Sequence, residues 1–275
     1  MDFDGTLKPF GGAVSPEDTE TLDLLGRAGA VRAVATGRSI SVFERDREPA
    51  FHIDYLISSS GLATSRYGPE GPGELIRSRS FTGEETRLAV ELALRTGLGL
   101  VLALAPPENH RFLFRPPSSG PPLPGFAARV RNAGDDARPW DGRPEGSFAQ
   151  LIAMGEPAFI RETMAAFNRE APGLSTVLSS SPYLDGSLWL EVFPAGVSKG
   201  LAAAELAASL GLGPGDAVAL GNDYNDEDLL RWAGRAYVSS EAPEELRSLF
   251  PNMPPAGQAP LAHVAGRLIP GIRGL

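Results

Sequence analysis

Two aspartates stand two positions apart in the stretch MDFDGTL at residues 1–7. If the first four residues close a β-strand, alternate side chains point the same way, so Asp2 and Asp4 project together from its carboxyl end. Open α/β sheets place their functional sites at that edge. Two carboxylates held this close repel each other unless a cation lies between them or one is protonated. The pair indicates a Mg²⁺ site, a nucleophile with its acid/base partner, or both. An acidic turn in solvent is the alternative.

Three later polar clusters have the residue types that phosphoryl chemistry needs. They are Thr36-Gly37-Arg38 after a short apolar stretch, Ser198-Lys199 at the start of an alanine-rich helix, and the loop 222–226 after a second apolar stretch. In a doubly wound sheet these clusters converge on one edge. There one carboxylate could attack phosphorus while a second protonates the departing oxygen. A lysine and a threonine hydroxyl would hold the phosphoryl oxygens, and Mg²⁺ would neutralise the remaining charge.

Each cluster also has a structural interpretation. A lysine at a helix N-terminus opposes the helix dipole by a few tenths of a kcal/mol, so Lys199 there favours function over a surface role. Arg38 could contact phosphate or pack the turn. The oxygens of Asn222, Asp223 and Asp226 could cap a helix, but they are more numerous than a cap needs, which favours metal ligation.

The composition limits the classes of partner and location. The chain has 275 residues, a net charge of −9, no cysteine and 3 histidines. The negative charge argues against a nucleic-acid partner, and the cysteine and histidine content excludes disulfides and argues against a multi-histidine metal site. No signal peptide or apolar run long enough for a bilayer is present. We expect a cytoplasmic protein without a membrane partner, acting on a small phosphorylated metabolite as a monomer or small homo-oligomer.

The elements that would position the clusters predict an α/β fold with a Rossmann-like, doubly wound parallel sheet. The core is predicted over 1–62 and 188–275, with an inserted α+β cap domain over 63–187. In the first part, a helix starting at Ser15-Pro16, an apolar strand to Ala35 and a strand at 55–59 alternate. A buried parallel strand usually has about five or six residues, yet only Met1 precedes Asp2. We therefore expect a misplaced start or a trimmed chain.

With these motifs the sequence resembles the haloacid dehalogenase-like (HAD) superfamily, in its Cof-type, subfamily IIB branch of sugar-phosphate phosphatases. The resemblance covers nearly the whole chain, through D-x-D-G-T-L at 2–7, Thr36-Gly37-Arg38, Lys199, and the loop 221–226. It implies that a cap selects the leaving group and closes over the site.

The resemblance also implies a role for each motif residue. Asp2 would be the nucleophile that forms an aspartyl-phosphate, and Asp4 the general acid and then base. Thr36 and Lys199 would hold the phosphoryl group. The predicted substrate-binding set is Thr36, Gly37, Arg38, Lys199 and Asn225, and the predicted Mg²⁺ ligands are Asp2, Asp4, Asn222, Asp223 and Asp226.

One departure from the family pattern keeps other functions open. The fourth motif usually reads G-D-x-x-N-D, whereas here Asn222 takes the place of its first aspartate. An amide oxygen can ligate Mg²⁺ but brings no charge, and Asp223 is the nearest substitute. The predicted function is a Mg²⁺-dependent phosphatase acting on a small phosphate monoester. The alternatives are a phosphotransferase or phosphomutase on the same scaffold, and a catalytically impaired binding protein.

Overall fold

The chain folds as two units that differ in whether neighbouring strands are parallel or antiparallel. A computed structural model describes residues 1–48, 50–140, 144–183 and 186–269. Unit 1 comprises Met1–Arg77 and Ser198–Leu275, and unit 2 comprises Ser78–Val197. Parallel pairs occur in unit 1 and a mainly antiparallel sheet forms unit 2. The predicted α/β class is confirmed.

The elements follow one another in chain order. The strands are β1 (Ala33–Ala35), β2 (Tyr55–Ser58), β3 (Ala63–Gly68), β4 (Gly71–Ser78), β5 (Gly99–Leu104), β6 (Phe112–Arg115), β7 (Ala137–Pro139), β8 (Phe148–Gly155), β9 (Ser175–Ser180), β10 (Leu188–Phe193), β11 (Val218–Gly221), β12 (Arg235–Ser239) and β13 (Asn252–Met253). The helices are α1 (Pro16–Arg27), α2 (Ile40–Asp46), α3 (Gly83–Thr96), α4 (Pro124–Ala133), α5 (Pro157–Glu170), α6 (Lys199–Ser209), α7 (Glu227–Trp232), α8 (Glu244–Arg247) and α9 (Pro260–Leu268).

The first four residues of the chain join two groups of strands in unit 1. One group has the order β1-β2-β3-β4 and the other β11-β12-β13. The backbone N–H of Asp2 donates to the Leu220 carbonyl at 2.8 Å, and the N–H of Ala35 donates to the Met1 carbonyl at 2.8 Å. The short segment thus occupies the place of a strand between β11 and β1.

Side-chain alternation in that segment separates the core from the site. Phe3 is 1% exposed and packs edge-on against Phe43 and Phe51, with ring centroids 4.9 and 5.3 Å away. Asp2 and Asp4 therefore point away from this aromatic cluster. The burial of one ring fixes the direction of both carboxylates.

Helix α1 begins as its sequence predicts and is tied to α9. The hydroxyl of Ser15 accepts the N–H of Asp18 at 3.1 Å, and Pro16 occupies the first turn. The Asp18 carboxylate accepts the N–H of Ala262, in the first turn of α9, at 2.9 Å. One carboxylate thereby supplies an acceptor to a helix start that has no capping side chain of its own.

Unit 2 is built on a six-stranded sheet with the order β7-β6-β5-β8-β10-β9. Helix α3 begins with a capping box of Thr82 and Glu85. Helices α3 and α5 pack on the sheet, and Phe126 of α4 joins an apolar cluster with Val101 and Trp189. Helix α4 was not predicted, because proline-rich sequence leads into it.

The boundaries of the units differ from the predicted ones at 62/63 and 187/188. Strands β3 and β4 extend the sheet of unit 1, because β3 pairs antiparallel with β2. Strand β10 pairs antiparallel with both β8 and β9, so it belongs to unit 2 rather than to the core. All six of its residues are buried. An apolar strand of this kind fits either sheet, and only its pairing partners decide which one it joins.

Over the described ranges, the helices lack the combination of length and apolar composition that crossing a membrane requires.

Candidate active site

The Lys199 ammonium is the centre of the site. Lys199 opens α6, whose start is capped by Ser198, and its side chain is 1% exposed. Its Nζ donates to Asp2 Oδ1 at 2.7 Å, to Asp226 Oδ1 at 2.6 Å and to Asn225 Oδ1 at 3.2 Å. Residues separated by about 200 positions thus converge, as the sequence predicted for the first, third and fourth motifs.

Burial and charge oppose each other in the ionisation of this group. Burial alone would lower the pKa of Lys199, but the carboxylates of Asp2 and Asp226 outweigh it and raise that pKa above its usual value. Burial, reinforced by the charge of Asp226, raises the pKa of Asp2 to about 7, with Lys199 acting in the opposite direction.

Asp226 binds the backbone of the loop 222–226 as well as Lys199. Its second carboxylate oxygen accepts the backbone N–H groups of Asn222 at 2.8 Å and Asp223 at 3.1 Å. A Cβ on Gly221 would lie 2.6 Å from the Cβ of Asp226, so the strand before the loop must end in glycine. Asp226 was predicted to ligate metal; in the structure its two oxygens accept hydrogen bonds from Lys199 and from the loop backbone.

The Asn222 amide lies among oxygens of the first motif. One of its terminal atoms is 3.0 Å from Asp2 Oδ2, 2.9 Å from the Asp4 carbonyl oxygen and 2.9 Å from Thr6 Oγ1. Gly5, with φ +75°, makes room for it, because a Cβ there would lie 2.3 Å from Asn222 Nδ2. Thr6 was not among the predicted site residues, although it stands inside the D-x-D-G-T stretch.

These oxygens fit a small divalent cation. Ligands at right angles around Mg²⁺ are about 3.0 Å apart when each Mg–O distance is about 2.1 Å. Asp2, Asp4 and Asn222 would supply a carboxylate, a backbone carbonyl and an amide oxygen. Among the residues described, no three histidine, aspartate or glutamate side chains form a metal cluster, so a cation here would depend on the carbonyl and the amide.

Arg38 holds the carboxylate of Asp4. Its Nε and Nη2 each donate to one Asp4 oxygen at 2.6 Å, and its Nη1 bonds Asp46 in α2. The bidentate pair and the bond to Asp46 together engage all three guanidinium nitrogens. Arg38 was predicted to bind substrate, but here it positions Asp4. No sequence pattern pointed to Asp46.

The motif Thr36-Gly37-Arg38 lies beside the loop 222–226. Thr36 is 1% exposed at the end of β1, and its hydroxyl accepts the N–H of Arg38 at 3.1 Å. A Cβ on Gly37 would be 4.0 Å from Asn225 Nδ2. The structure therefore brings Gly37 close to Asn225, which also contacts Lys199.

Most of the chain matches a known family. A family model described as haloacid dehalogenase-like hydrolase matches residues 1–252. The chain belongs to this family. The resemblance predicted from the motifs is confirmed, and phosphatases of this superfamily generally depend on a metal ion.

Relatives in sequence and in structure agree with this membership. The HMP-PP phosphatase of Escherichia coli O8 is 37% identical over 68 residues, which is 25% of this chain and 25% of that protein. The aligned part is thus a quarter of the relative's length. The phosphatase BT1666 from Bacteroides thetaiotaomicron has a TM-score of 0.74 at 21% identity, covering 98% of this chain and 93% of that one. The HAD subclass IIB sugar phosphatase BT4131 has a TM-score of 0.71 at 16% identity, covering 98% and 97%. At these identities the solved structures establish the fold.

Proposed function

We propose that the protein hydrolyses a small phosphate monoester through an aspartyl-phosphate on Asp2, with Mg²⁺ as cofactor. The observation that carries the proposal is the buried Lys199 ammonium bound to Asp2 Oδ1 at 2.7 Å. A buried carboxylate fixed beside a cation suits attack on a dianionic phosphoryl group, because the ammonium offsets the repulsion between the two negative charges. The similar structure named as a sugar phosphatase supports a sugar phosphate as the substrate class.

The proposed reaction has two displacements at phosphorus. In the first, an oxygen of Asp2 forms a bond to phosphorus and the bond from phosphorus to the oxygen of the leaving alcohol breaks. Asp4 gives a proton to this leaving oxygen. In the second, Asp4 takes a proton from water, the water oxygen attacks phosphorus, and the bond to Asp2 breaks to release inorganic phosphate. Lys199 and Thr36 would hold phosphoryl oxygens throughout.

The cation would supply charge neutralisation at the phosphoryl group. Asp2, the Asp4 carbonyl and Asn222 would hold it. Because Asp226 is engaged with Lys199 and the loop backbone, we assign it to positioning rather than to ligation. Asp223 lies next to Asn222 and stays a candidate ligand.

Asp4 must change partners before it can transfer a proton. Both of its carboxylate oxygens accept hydrogen bonds from Arg38, so the side chain has to turn away from the guanidinium to meet the leaving oxygen. Asp46, which holds the third guanidinium nitrogen, keeps Arg38 in place during that exchange.

The test is a screen of sugar phosphates and other phosphate monoesters for release of inorganic phosphate with Mg²⁺, run with Asp2→Asn and Asp135→Asn. Asp135 is an exposed aspartate of unit 2 and serves as the matched control. We expect Asp135→Asn to keep full turnover and Asp2→Asn to lose at least about 10³-fold, since no covalent intermediate can form. Turnover by Asp2→Asn near that of the control would remove Asp2 as nucleophile. Failure of the unsubstituted protein to release phosphate from any ester would favour the binding-protein alternative.

A further inference from the structure

The Asn222 amide has two orientations whose hydrogen bonding differs sharply. With its oxygen facing the first motif, it accepts one bond from Thr6 Oγ1 at 2.9 Å. That oxygen then lies against two other acceptors, Asp2 Oδ2 and the Asp4 carbonyl. With its nitrogen facing them, the amide is a donor within 3.0 Å of all three oxygens.

Only one of the three oxygens suits both orientations. The hydroxyl of Thr6 can donate to an amide oxygen or accept from an amide nitrogen. The ionised carboxylate of Asp2 and the carbonyl of Asp4 can only accept. An oxygen–oxygen contact of about 3 Å between acceptors is stable only when a positive group lies between them. The nitrogen-facing orientation therefore belongs to the cation-free protein, and the oxygen-facing one requires a cation.

Two of the three oxygens are shielded from solvent, since Thr6 is fully buried and Asp2 is 4% exposed. Gly5 packs against the amide, because a Cβ there would approach Asn222 Nδ2 to 2.3 Å. A buried polar atom that loses its partner here stays unsatisfied.

The charges around Lys199 explain why an amide is useful at this position. Asp2 and Asp226 already share the Lys199 ammonium. An aspartate at position 222 would place a third carboxylate about 3 Å from Asp2 Oδ2, and without a cation the two would repel each other. An asparagine places a donor there instead.

We propose that Asn222 acts as a two-state partner of the cation site: its amide nitrogen takes the cation's place in the metal-free protein, and its oxygen joins the ligands when Mg²⁺ binds. This inference rests on the cation position proposed above. It makes the folded state independent of the metal. It also makes Mg²⁺ binding weaker than a carboxylate would, because the ion must displace the hydrogen bonds of the amide.

The test compares Asn222→Asp with Asn252→Asp, the same change at an exposed position of unit 1. Thermal unfolding is followed in EDTA and over a Mg²⁺ titration. In EDTA we expect Asn222→Asp to melt roughly 5 °C below the unsubstituted protein, and Asn252→Asp to match it. Saturating Mg²⁺ should raise the melting temperature of Asn222→Asp more than that of the other two proteins, with a lower midpoint concentration.

A third variant, Asn222→Ala, covers the case in which Asn222→Asp does not fold. It removes the donor without adding a charge, so it should melt below the unsubstituted protein in EDTA and gain no more from Mg²⁺ than that protein does. NMR of the Asn222 side-chain NH₂ group, identified by its loss in the variants, adds a direct readout. We expect slow hydrogen exchange of this group in EDTA and a new chemical shift with faster exchange in Mg²⁺.

The outcomes separate the two proposals. Equal melting temperatures in EDTA for Asn222→Asp, Asn222→Ala and the unsubstituted protein overturn the role of the amide nitrogen. An NH₂ signal that Mg²⁺ leaves unchanged, while the melting temperature rises, overturns the reorientation but leaves the proposed cofactor intact. If Mg²⁺ raises the melting temperature of none of the proteins, the cation site in the proposed function is wrong. The oxygen-facing state of the Asn222 amide is then wrong as well.

Discussion

At the scale of single residues, the site depends on a buried network in which Lys199 neutralises two carboxylates. Removing the ammonium leaves Asp2 and Asp226 buried without a counter-charge. Breaking a buried ion pair by deleting one partner is far more destabilising than replacing the whole pair with neutral groups. The network is therefore a stability determinant as well as a candidate catalytic group.

We expect Lys199→Met to lower the free energy of unfolding by about 3–5 kcal/mol. Adding Asp226→Asn should recover part of that loss, because the neutral amide oxygen can still accept the loop N–H groups of Asn222 and Asp223. Urea denaturation of the two variants and the unsubstituted protein measures both effects. Phosphate release should stay absent in the double variant. A Lys199→Met protein as stable as the unsubstituted one would show that the network contributes no stability.

Gly5 offers a second residue-scale test with a control in the same segment. Gly5 and Gly11 both have positive φ, +75° and +72°, but a Cβ at Gly11 would meet nothing within 4 Å. Gly11→Ala should cost about 1–2 kcal/mol from backbone strain alone. Gly5→Ala should cost about 1–3 kcal/mol more through its clash with Asn222, and it should also weaken Mg²⁺ binding measured by calorimetry. Equal destabilisation of the two variants would mean that the Asn222 amide can move away from a Cβ at position 5 without cost.

At the scale of elements, a single aspartate connects the first and last helices described in unit 1. Burial raises the pKa of Asp18, and the N–H of Ala262 and the Ser15 hydroxyl act in the opposite direction. Because the folded state binds the proton more tightly than the unfolded chain, this group's contribution to the free energy of unfolding falls as the pH rises above about 3.8.

We expect Asp18→Asn to remove this pH dependence while its amide oxygen still accepts the N–H of Ala262. The stability of Asp18→Asn relative to the unsubstituted protein should therefore increase between about pH 4 and pH 7. Asp18→Ala should instead lose about 1–3 kcal/mol at both pH values, since the α9 start loses its acceptor. Urea denaturation at the two pH values gives the comparison, and a constant difference between Asp18→Asn and the unsubstituted protein would contradict the assignment.

Local chemistry predicted the elements and residues whose patterns are self-contained. The Ser15 start of α1 and the Asp2, Lys199 and 222–226 clusters follow from neighbouring residues alone. Contacts set by tertiary structure were not predictable. Asp46 bonds Arg38 from helix α2, whose sequence carries no recognisable motif. Asp226 is a residue type that commonly ligates metal, yet it accepts hydrogen bonds from Lys199 and from backbone N–H groups. Strand β10 shows the same limit, because its apolar sequence does not specify its neighbours.

At the scale of the whole molecule, unit 2 is continuous in sequence and carries its own sheet. All six strands of that sheet, and the cluster around Val101 and Trp189, lie within Ser78–Val197. A segment with its own sheet and core should fold without the rest of the chain.

We expect residues 78–197, produced alone, to unfold cooperatively on heating, as followed by circular dichroism. The matched control is 63–187, the cap predicted from sequence. It lacks β10, which lies between β8 and β9, and it carries β3 and β4 without β2, the other neighbour of β3. This control should give no cooperative transition. A random-coil spectrum for 78–197 would show that unit 2 needs unit 1.

The short segment between β11 and β1 has a consequence for the order in which the protein can fold during synthesis. The backbone of Asp2 is bound to Leu220, which leaves the ribosome more than 200 residues later. Unit 2 is complete once Val197 has emerged, whereas the first segment of unit 1 lacks its neighbour on one side until β11 arrives. Nascent chains of this protein should therefore protect the middle of the sequence from protease before they protect its beginning.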